Sequence, residues 1–223
     1  MLLTTHAAES PEEDQMFRHA GGRLYDFLAS IGRDMGDCGH GSATEHLLAG
    51  KLIGPEWIVA HLNEMHESDF EMLAAYGLAE TLHVVHCPRS HSYFRHKPFQ
   101  YKRFHDLGFR ISLGTDSLAS NDSLNLFKEM QALAENEPWL EPEELLKTVT
   151  LHPARALRKE GTLGTIAPGA HADMICLPFD EEISTVYEEI VHFSGKVRWM
   201  LVEGEGTRSH GQRENPPRPV STR

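Results

Sequence analysis

The most informative stretch of the chain is Phe109-Arg110-Ile111-Ser112-Leu113-Gly114-Thr115-Asp116-Ser117. Its apolar residues alternate with polar ones, which predicts a short strand with one buried face. Gly114 then frees the backbone, and Asp116 follows just past the carboxyl end of the strand. In parallel α/β folds the loops that leave the strands at this end form the open mouth where ligands bind. A carboxylate there can hold a metal ion, act as a base, or cap the next helix.

Two upstream segments also have the pattern of strands, and each ends in a histidine. They are Leu2-Leu3-Thr4-Thr5-His6 and Trp57-Ile58-Val59-Ala60-His61. An isolated Gly-Thr-Asp is more typical of a turn or a helix cap. Because three strand ends offer His, His and Asp, a metal site is favoured over a capping role for Asp116.

Glu9 follows His6 by three residues and can reach the same cavity to carry protons. Taken alone, it is equally typical of a first-turn helix glutamate beside the Ser10 cap. His61 has two interpretations as well. It polarises a group or carries a proton in the mouth, or it is a core histidine bonded to a backbone carbonyl.

Composition limits the classes of function. A chain of 223 residues with 40% hydrophobic residues can bury a core, and its formal charge of −12 argues against nucleic acid or an anionic membrane as partner. Fifteen histidines favour metal or proton chemistry. Three dispersed cysteines without a Cys-x-x-Cys motif indicate reduced thiols and a cytoplasmic protein. The sequence contains no apolar run as long as a membrane span and no visible signal peptide.

Strand and helix patterns alternate four times, which predicts a parallel sheet with crossover helices over residues 1–160. From Gly161 the pattern changes to a small β appendage over 161–205, and the Gly-, Pro- and Arg-rich residues 206–223 are expected to be disordered. The expected strands are 2–6, 57–61, 82–86, 109–113, 172–177 and 197–204. The expected helices are 11–31 behind the Ser10 cap, 42–48, one opening at a Ser68 capping box, 99–107, 123–135, 142–149 and 153–158.

The segment Arg89 to Pro98 mixes cationic and aromatic residues and is expected to be a loop. Such a mixture suits an aromatic or carboxylate-bearing substrate, with Arg89 and His91 as the candidate substrate-binding residues. It is equally consistent with a solvated loop that is packed by its own side chains.

Six segments occur in a recognisable order: His6-Ala7-Ala8-Glu9, Ala60-His61, His86-Cys87-Pro88-Arg89-Ser90, Leu113–Asn121, Thr150–Leu157 and Gly161–Asp173. Together they resemble the amidohydrolase superfamily, in the branch of chlorohydrolases, cytosine deaminase and adenosine-type deaminases. The resemblance covers roughly residues 1–204. It implies a metal-dependent TIM barrel with a small β-sandwich.

Residue by residue, the resemblance implies that His6 binds the metal after strand five and that Glu9 shuttles protons. It implies that His61, after strand six, orients the water or substrate. Asp116, after strand eight, would bind the metal and take the proton from the attacking water. The implied cofactor is a divalent metal, zinc or alternatively iron. The implied activity is deamination of an aminopurine nucleoside such as an adenosine derivative, with chlorohydrolase-like hydrolysis of another C–N or C–Cl bond as the alternative.

One feature of the family has no counterpart. Its barrel begins with a His-x-His pair after strand one, and this chain has none at an equivalent position. The sequence therefore resembles the carboxyl-terminal half of such an enzyme, strands five to eight of the (β/α)8 barrel plus part of the β-sandwich. Three hypotheses stay open: part of a full-length enzyme with a missing N-terminal half, a catalytically incomplete fragment, or a half-barrel completed as a homo-oligomer. Alone, the chain is expected to associate and to be a poor catalyst and metal binder.

Overall fold

A four-stranded parallel sheet in the order β1-β2-β3-β4 forms the first part of the fold. The structure, a computed structural model, describes residues 2–207. The strands are β1 Leu3–Ala7, β2 Trp57–His61, β3 His83–His86 and β4 Ile111–Leu113, and all neighbouring pairs are parallel. The predicted parallel sheet is confirmed, because each expected strand overlaps an observed one.

Helices connect the strands on the way from β1 to β4 and continue beyond. They are α1 Pro11–His19, α2 Arg23–Ser30, α3 Ala43–Ala49, α4 Glu67–Ala75, α5 Pro88–Phe94, α6 Tyr101–Asp106, α7 Leu126–Asn136, α8 Pro142–Lys147, α9 Leu151–Ala156 and α10 Val186–Val191, with a turn of 3-10 helix at Ile183–Thr185. None of the helices within residues 2–207 has the length and apolar character that a bilayer crossing requires.

The prediction of a single helix from residue 11 to residue 31 is wrong. Ser10 caps α1 as predicted, by accepting a hydrogen bond from the Glu13 amide, but the helix ends at Ala20, whose φ is 47°. Gly22, with φ 97°, is then the N-cap of α2. The left-handed backbone at these two residues breaks the helix, and α2 has no buried residue.

The start of α4 also differs from the prediction. Its N-cap is His66 rather than Ser68, and Asp69 accepts a hydrogen bond from the His66 amide at 2.6 Å. Asp69 is fully buried, and the Ser42 hydroxyl at the start of α3 donates to the same carboxylate. One buried acid therefore joins the first turns of two helices.

The expected loop from Arg89 to Pro98 contains a helix. Pro88 is the first residue of α5, a position where its missing amide costs nothing, and Arg95 ends the helix with φ 57°. Ser90 and His91 are consequently buried.

The prediction of one buried face for the central strand is wrong as well. Ile111, Ser112 and Leu113 are all buried. Both faces of a parallel sheet are normally covered, here by helices whose apolar residues form one core with the sheet. That core includes Leu73, Phe104 and Leu133.

The second part of the chain forms a small antiparallel sheet, β5 Met174–Cys176, β6 Trp199–Val202 and β7 Glu205–Thr207. Between β5 and β6 lies α10, which the sequence pattern did not reveal. The ring of Phe193, just after α10, lies 5.2 Å from that of Phe127 in α7. Strand β7 includes Gly206 and Thr207, which were assigned to the disordered tail, and residues 208–223 lie outside the described part. The division into segments 1–160, 161–205 and 206–223 stays a prediction.

Candidate metal centre

Three donor side chains converge where the strands end. Glu9 follows β1, His61 is the last residue of β2, and Asp116 follows β4. One ligand atom from each lies within 4.8 Å of the other two. Because the carboxyl ends of parallel strands meet at one edge of the sheet, residues far apart in sequence are brought into one cluster.

Asp116 is held by two hydroxyl groups. Ser90 Oγ on α5 lies 2.6 Å from Asp116 Oδ2, and Ser120 Oγ lies 2.9 Å from the same oxygen. Asp116 Oδ1 accepts no hydrogen bond from either serine. Burial raises the pKa of Asp116, but the hydrogen bonds from Ser90 and Ser120 act in the other direction, and the net pKa lies below its ordinary value. The carboxylate is therefore ionised at neutral pH, as a metal ligand must be.

His61 presents a buried nitrogen that nothing in the described chain satisfies. Its side chain is 5% exposed, and Nε2 lies 3.6 Å from Glu9 Oε1 without a hydrogen-bond partner. Burial lowers the pKa of His61, so the ring is neutral at pH 7. A neutral imidazole with a free buried nitrogen is the form that binds a metal ion.

The backbone at these donors is strained. His61 has φ 76° and Asp116 has φ 55°, both in the left-handed region that residues with a Cβ rarely adopt. Each such residue costs on the order of 1 kcal/mol or more, and surrounding contacts must hold it in place. Helix ends such as Ala20 and Arg95 share this conformation, so the cluster is defined by the convergence of its donor atoms rather than by strain.

The loop that carries Glu9 is fixed through its backbone. The Glu13 carboxylate accepts hydrogen bonds from the amides of Ala8 at 3.0 Å and Glu9 at 2.7 Å. Asn63 Nδ2 donates to the Glu9 carbonyl at 3.0 Å. The Glu9 side chain itself is 36% exposed, so it faces the mouth from a well-defined backbone position.

His6 lies beside this cluster rather than in it. Its ring centroid is 5.0 Å from that of His61, the planes are tilted by 36°, and the side chain is exposed. Within residues 2–207 the tight donor group contains His61 and not His6. The metal-binding roles of His6 and Asp116 and the catalytic roles of Glu9, His61 and Asp116 stay predictions.

Arg89 and His91, the predicted substrate-binding residues, have extensive contacts within the chain. His91 is buried, with Nδ1 3.1 Å from Asn63 Oδ1 and Nε2 2.8 Å from the Lys97 carbonyl. Burial lowers the pKa of His91 to about 4. The Arg89 guanidinium donates to Asn121 Oδ1 at 2.6 Å and to Asp122. These contacts favour a structural role, and substrate binding by either residue stays a prediction.

Sequence reasoning assigned no role to several residues that shape the site: Ser90, Ser120, Asn63 and Glu129. Serine and asparagine are common in turns, so their presence near Asp116 carries little information by itself. Two signals were available: Pro88 before Ser90 is typical of a helix start, and Ser90 and Ser120 lie within two of the segments that carry the family resemblance.

A divalent metal ion fits this set of side chains. Asp116 and Glu9 offer carboxylate oxygens, and His61 offers the unsatisfied buried nitrogen. Imidazole and carboxylate together suit zinc and iron.

The chain is similar to known proteins in sequence and in fold. Residues 1–198 match the family described as "Amidohydrolase family". The chain is an amidohydrolase-family protein. It is 32% identical over 172 residues to the 5-methylthioadenosine/S-adenosylhomocysteine deaminase of Syntrophobacter fumaroxidans, a match that covers 71% of this chain and 38% of that protein. It is 30% identical over 155 residues to the aminodeoxyfutalosine deaminase of Deinococcus radiodurans, over 65% of this chain and 36% of the relative.

Solved structures share the fold of this amidohydrolase. Aminofutalosine deaminase from Helicobacter pylori, in complex with methylthio-coformycin, superposes with a TM-score of 0.77 at 20% identity over 93% of this chain and 51% of that chain. A zinc-bound adenosine deaminase from Xanthomonas campestris gives a TM-score of 0.72 at 22% identity, over 92% and 45%. The chain thus spans about half of these structures and less than two fifths of the two curated relatives.

Proposed function

We propose that this chain is part of a metal-dependent aminohydrolase. The complete enzyme removes the amino group of an aminopurine nucleoside such as an adenosine derivative. The observation that carries the proposal is the convergence of Glu9, His61 and Asp116 within 4.8 Å at the carboxyl ends of the strands. Relatives at 30% identity or above that are named as deaminases of adenosine-type compounds support the choice of substrate class.

The family resemblance makes His6 and Asp116 the metal ligands, and the donor cluster puts His61 and Glu9 within reach of the same ion. Zinc is the first candidate and iron the alternative. A divalent ion held here supplies Lewis acidity and makes a water nucleophilic near neutral pH.

The side chains then divide the proton transfers between them. Ionised Asp116 accepts the proton of the attacking water, and the two serine hydroxyls keep its carboxylate oriented. Glu9, exposed toward the mouth, passes a proton to the ring nitrogen and to the leaving amine. His61 orients the group under attack. Water adds to the amino-bearing ring carbon, the C–N bond breaks, and the products are the keto compound and ammonia.

The four parallel strands are proposed to correspond to strands five to eight of an eight-stranded barrel, with β5 to β7 as part of the β-sandwich. Coverage of about half of the solved structures supports this correspondence. A barrel needs all its strands in a closed ring to hold its ligands at fixed distances. Activity is therefore proposed for an assembly in which further strands complete the sheet, supplied by the same polypeptide or by a second copy.

An amine is favoured over a halide as the leaving group. Both curated relatives described above are named deaminases, whereas the solved structures, at 22% identity or below, support the fold alone. The chlorohydrolase alternative therefore stays the weaker proposal.

The test is the substitution Asp116→Asn in the enzyme purified in its native assembly. Because the volume hardly changes while the proton acceptor is lost, ammonia release from 5-methylthioadenosine or adenosine with added zinc should fall by about 10²–10⁴-fold. Asp106→Asn, an exposed aspartate on α6, is the matched control and should keep full turnover. Retained turnover in Asp116→Asn, with circular dichroism showing an intact fold, would exclude Asp116 as the proton acceptor.

A further inference from the structure

A second buried carboxylate lies behind the donor cluster and takes no part in the proposed chemistry. Glu129, on α7, is fully buried. Its Oε1 accepts a hydrogen bond from Asn121 Nδ2 at 2.7 Å, and its Oε2 accepts one from the Arg89 amide at 3.1 Å. Burial of a carboxylate costs free energy even when both oxygens accept hydrogen bonds, so this arrangement calls for an explanation.

Each partner of Glu129 is linked to Asp116 through one intermediate residue. Asn121 Nδ2 also donates to the carbonyl of Thr115, the residue immediately before Asp116, at 2.8 Å. Arg89 immediately precedes Ser90, whose hydroxyl lies 2.6 Å from Asp116 Oδ2. The bond from Arg89 Nη1 to Asn121 Oδ1 connects the two partners. Glu129 thus ties the loop after β4 to the first turn of α5.

Asp116 needs such support because its own backbone is in the left-handed region, with φ 55°. The residues between β4 and α7 form no helix or strand that would hold it there. A carboxylate can accept hydrogen bonds at both oxygens, so Glu129 satisfies the Asn121 amide group and the Arg89 amide at once. A glutamine at this position would turn an NH₂ group toward one of these two donors and lose that bond.

We propose that Glu129 is a positioning residue that holds the Asp116 carboxylate in its metal-binding orientation by joining the β4 loop to α5. The inference rests on the proposed function of Asp116. It adds a residue whose effect on the site passes entirely through Asn121, Arg89 and Ser90.

The test compares Glu129→Gln with Asp69→Asn. Asp69 is also fully buried and also accepts a backbone amide and a side-chain donor, but it joins α3 to α4 away from the donor cluster. Zinc affinity of the protein in its native assembly is measured by calorimetry, and its stability by urea unfolding. Both variants should lose stability, and only Glu129→Gln should weaken zinc binding, by about tenfold or more. Equal zinc affinity in Glu129→Gln and wild type, or an equal loss in both variants, would overturn the proposal.

Amide hydrogen exchange on the metal-free chain gives a second readout. The amides of residues 114–122 should exchange faster in Glu129→Gln than in wild type, and at the wild-type rate in Asp69→Asn. Wild-type exchange rates in both variants would overturn the positioning role. If the wild-type chain binds no zinc, the metal proposal fails for this chain while the exchange experiment still decides the role of Glu129. Should Glu129→Gln not fold, Asn121→Ala removes the bond to Thr115, and slow exchange in that variant would also count against the proposal.

Discussion

The two edges of the parallel sheet differ sharply. On the outer side of β4, the Leu113 amide donates to the Thr148 carbonyl at 3.0 Å, and His152 Nδ1 lies 2.9 Å from the Ile111 carbonyl. The segment from α8 to α9 therefore closes that edge. β1, at the other end of the sheet, has no strand beside it within residues 2–207.

The register of β1 shows which of its backbone amides and carbonyls face β2 and which face outward. The Ala7 carbonyl accepts from Leu62 just past β2, so the amides and carbonyls of Thr5 and Ala7 face β2 and those of Thr4 and His6 face outward. An unpaired strand edge is a template for another strand. The Asp116 side of the site is thus supported within the chain, and the side with His6 and Glu9 borders an open edge.

This difference between the edges distinguishes two ways in which further strands could be added to the sheet. A ring of two copies, with β4 of each against β1 of the other, requires Leu113 and Ile111 to give up their bonds to Thr148 and His152. Addition of a strand at β1 alone requires no such exchange. The asymmetry therefore favours β1 as the first place where further strands bind.

The largest effect is expected from proline in β1, because proline removes an amide donor. Thr5→Pro removes an amide that faces β2 and should lower the free energy of unfolding by several kcal/mol. Thr4→Pro removes an outward-facing amide and should cost about 1 kcal/mol. Urea unfolding measures both, and similar losses in the two variants would contradict the register. By sedimentation, Thr4→Pro should also associate less than wild type, because the open edge is blocked.

Gly114→Ala tests how tightly the β4 end is built. A Cβ at Gly114 would lie 2.9 Å from Val85 Cγ1 and 3.1 Å from Cys87 Sγ, closer than side chains normally approach. The strain should lower the free energy of unfolding by about 1–3 kcal/mol and displace the backbone between Gly114 and Asp116. Urea unfolding and zinc titration should therefore both show a loss. Gly54→Ala is the control, since a Cβ there has no neighbour within 4 Å, and a comparable loss in the control would show that the packing around Gly114 is not the cause.

The strands and the polar residues at their ends were predictable because both depend on local pattern. Apolar segments bounded by turns gave β1 to β4, and the position of His6, His61 and Asp116 at their carboxyl ends followed from the chain direction. The helix break after His19 was missed although the pair Gly21-Gly22 is a turn signal, because the apolar pattern on either side was assigned to one helix. Helix α10 was missed because the residues after Gly161 were assigned to a β appendage, and the segment between its two expected strands was given no element of its own.

The contacts that support the site were not predictable from local pattern. Ser90 and Asp116 are 26 residues apart, and Arg89 and Glu129 are 40 apart, so only the folded chain reveals that they meet. Nor does sequence spacing say which of His6 and His61 turns a nitrogen toward the carboxylates. In the described part of the chain it is His61, whose left-handed backbone has no sequence signal.

The smallest effect is expected at the closed edge, from His152→Ala. The variant removes the bond to the Ile111 carbonyl and leaves the one between Leu113 and Thr148, so it should lower the free energy of unfolding by about 1 kcal/mol. His40→Ala, in an exposed loop, is the matched control and should change nothing. Equal stability of His152→Ala and wild type would mean that Thr148 alone closes the edge.

The pH dependence of His152→Ala sharpens this result. Burial lowers the pKa of His152 in the folded state below its ordinary value of 6.5, so the folded protein resists protonation more than the unfolded chain does. The wild type should therefore lose stability from this residue as the pH falls below about 6.5, while the variant has no such group to protonate. The stability difference between the two should narrow from pH 7 to pH 5 in urea unfolding. A difference that widens on acidification would mean that protonated His152 strengthens the closed edge, and that this edge is held by charge rather than by a neutral hydrogen bond.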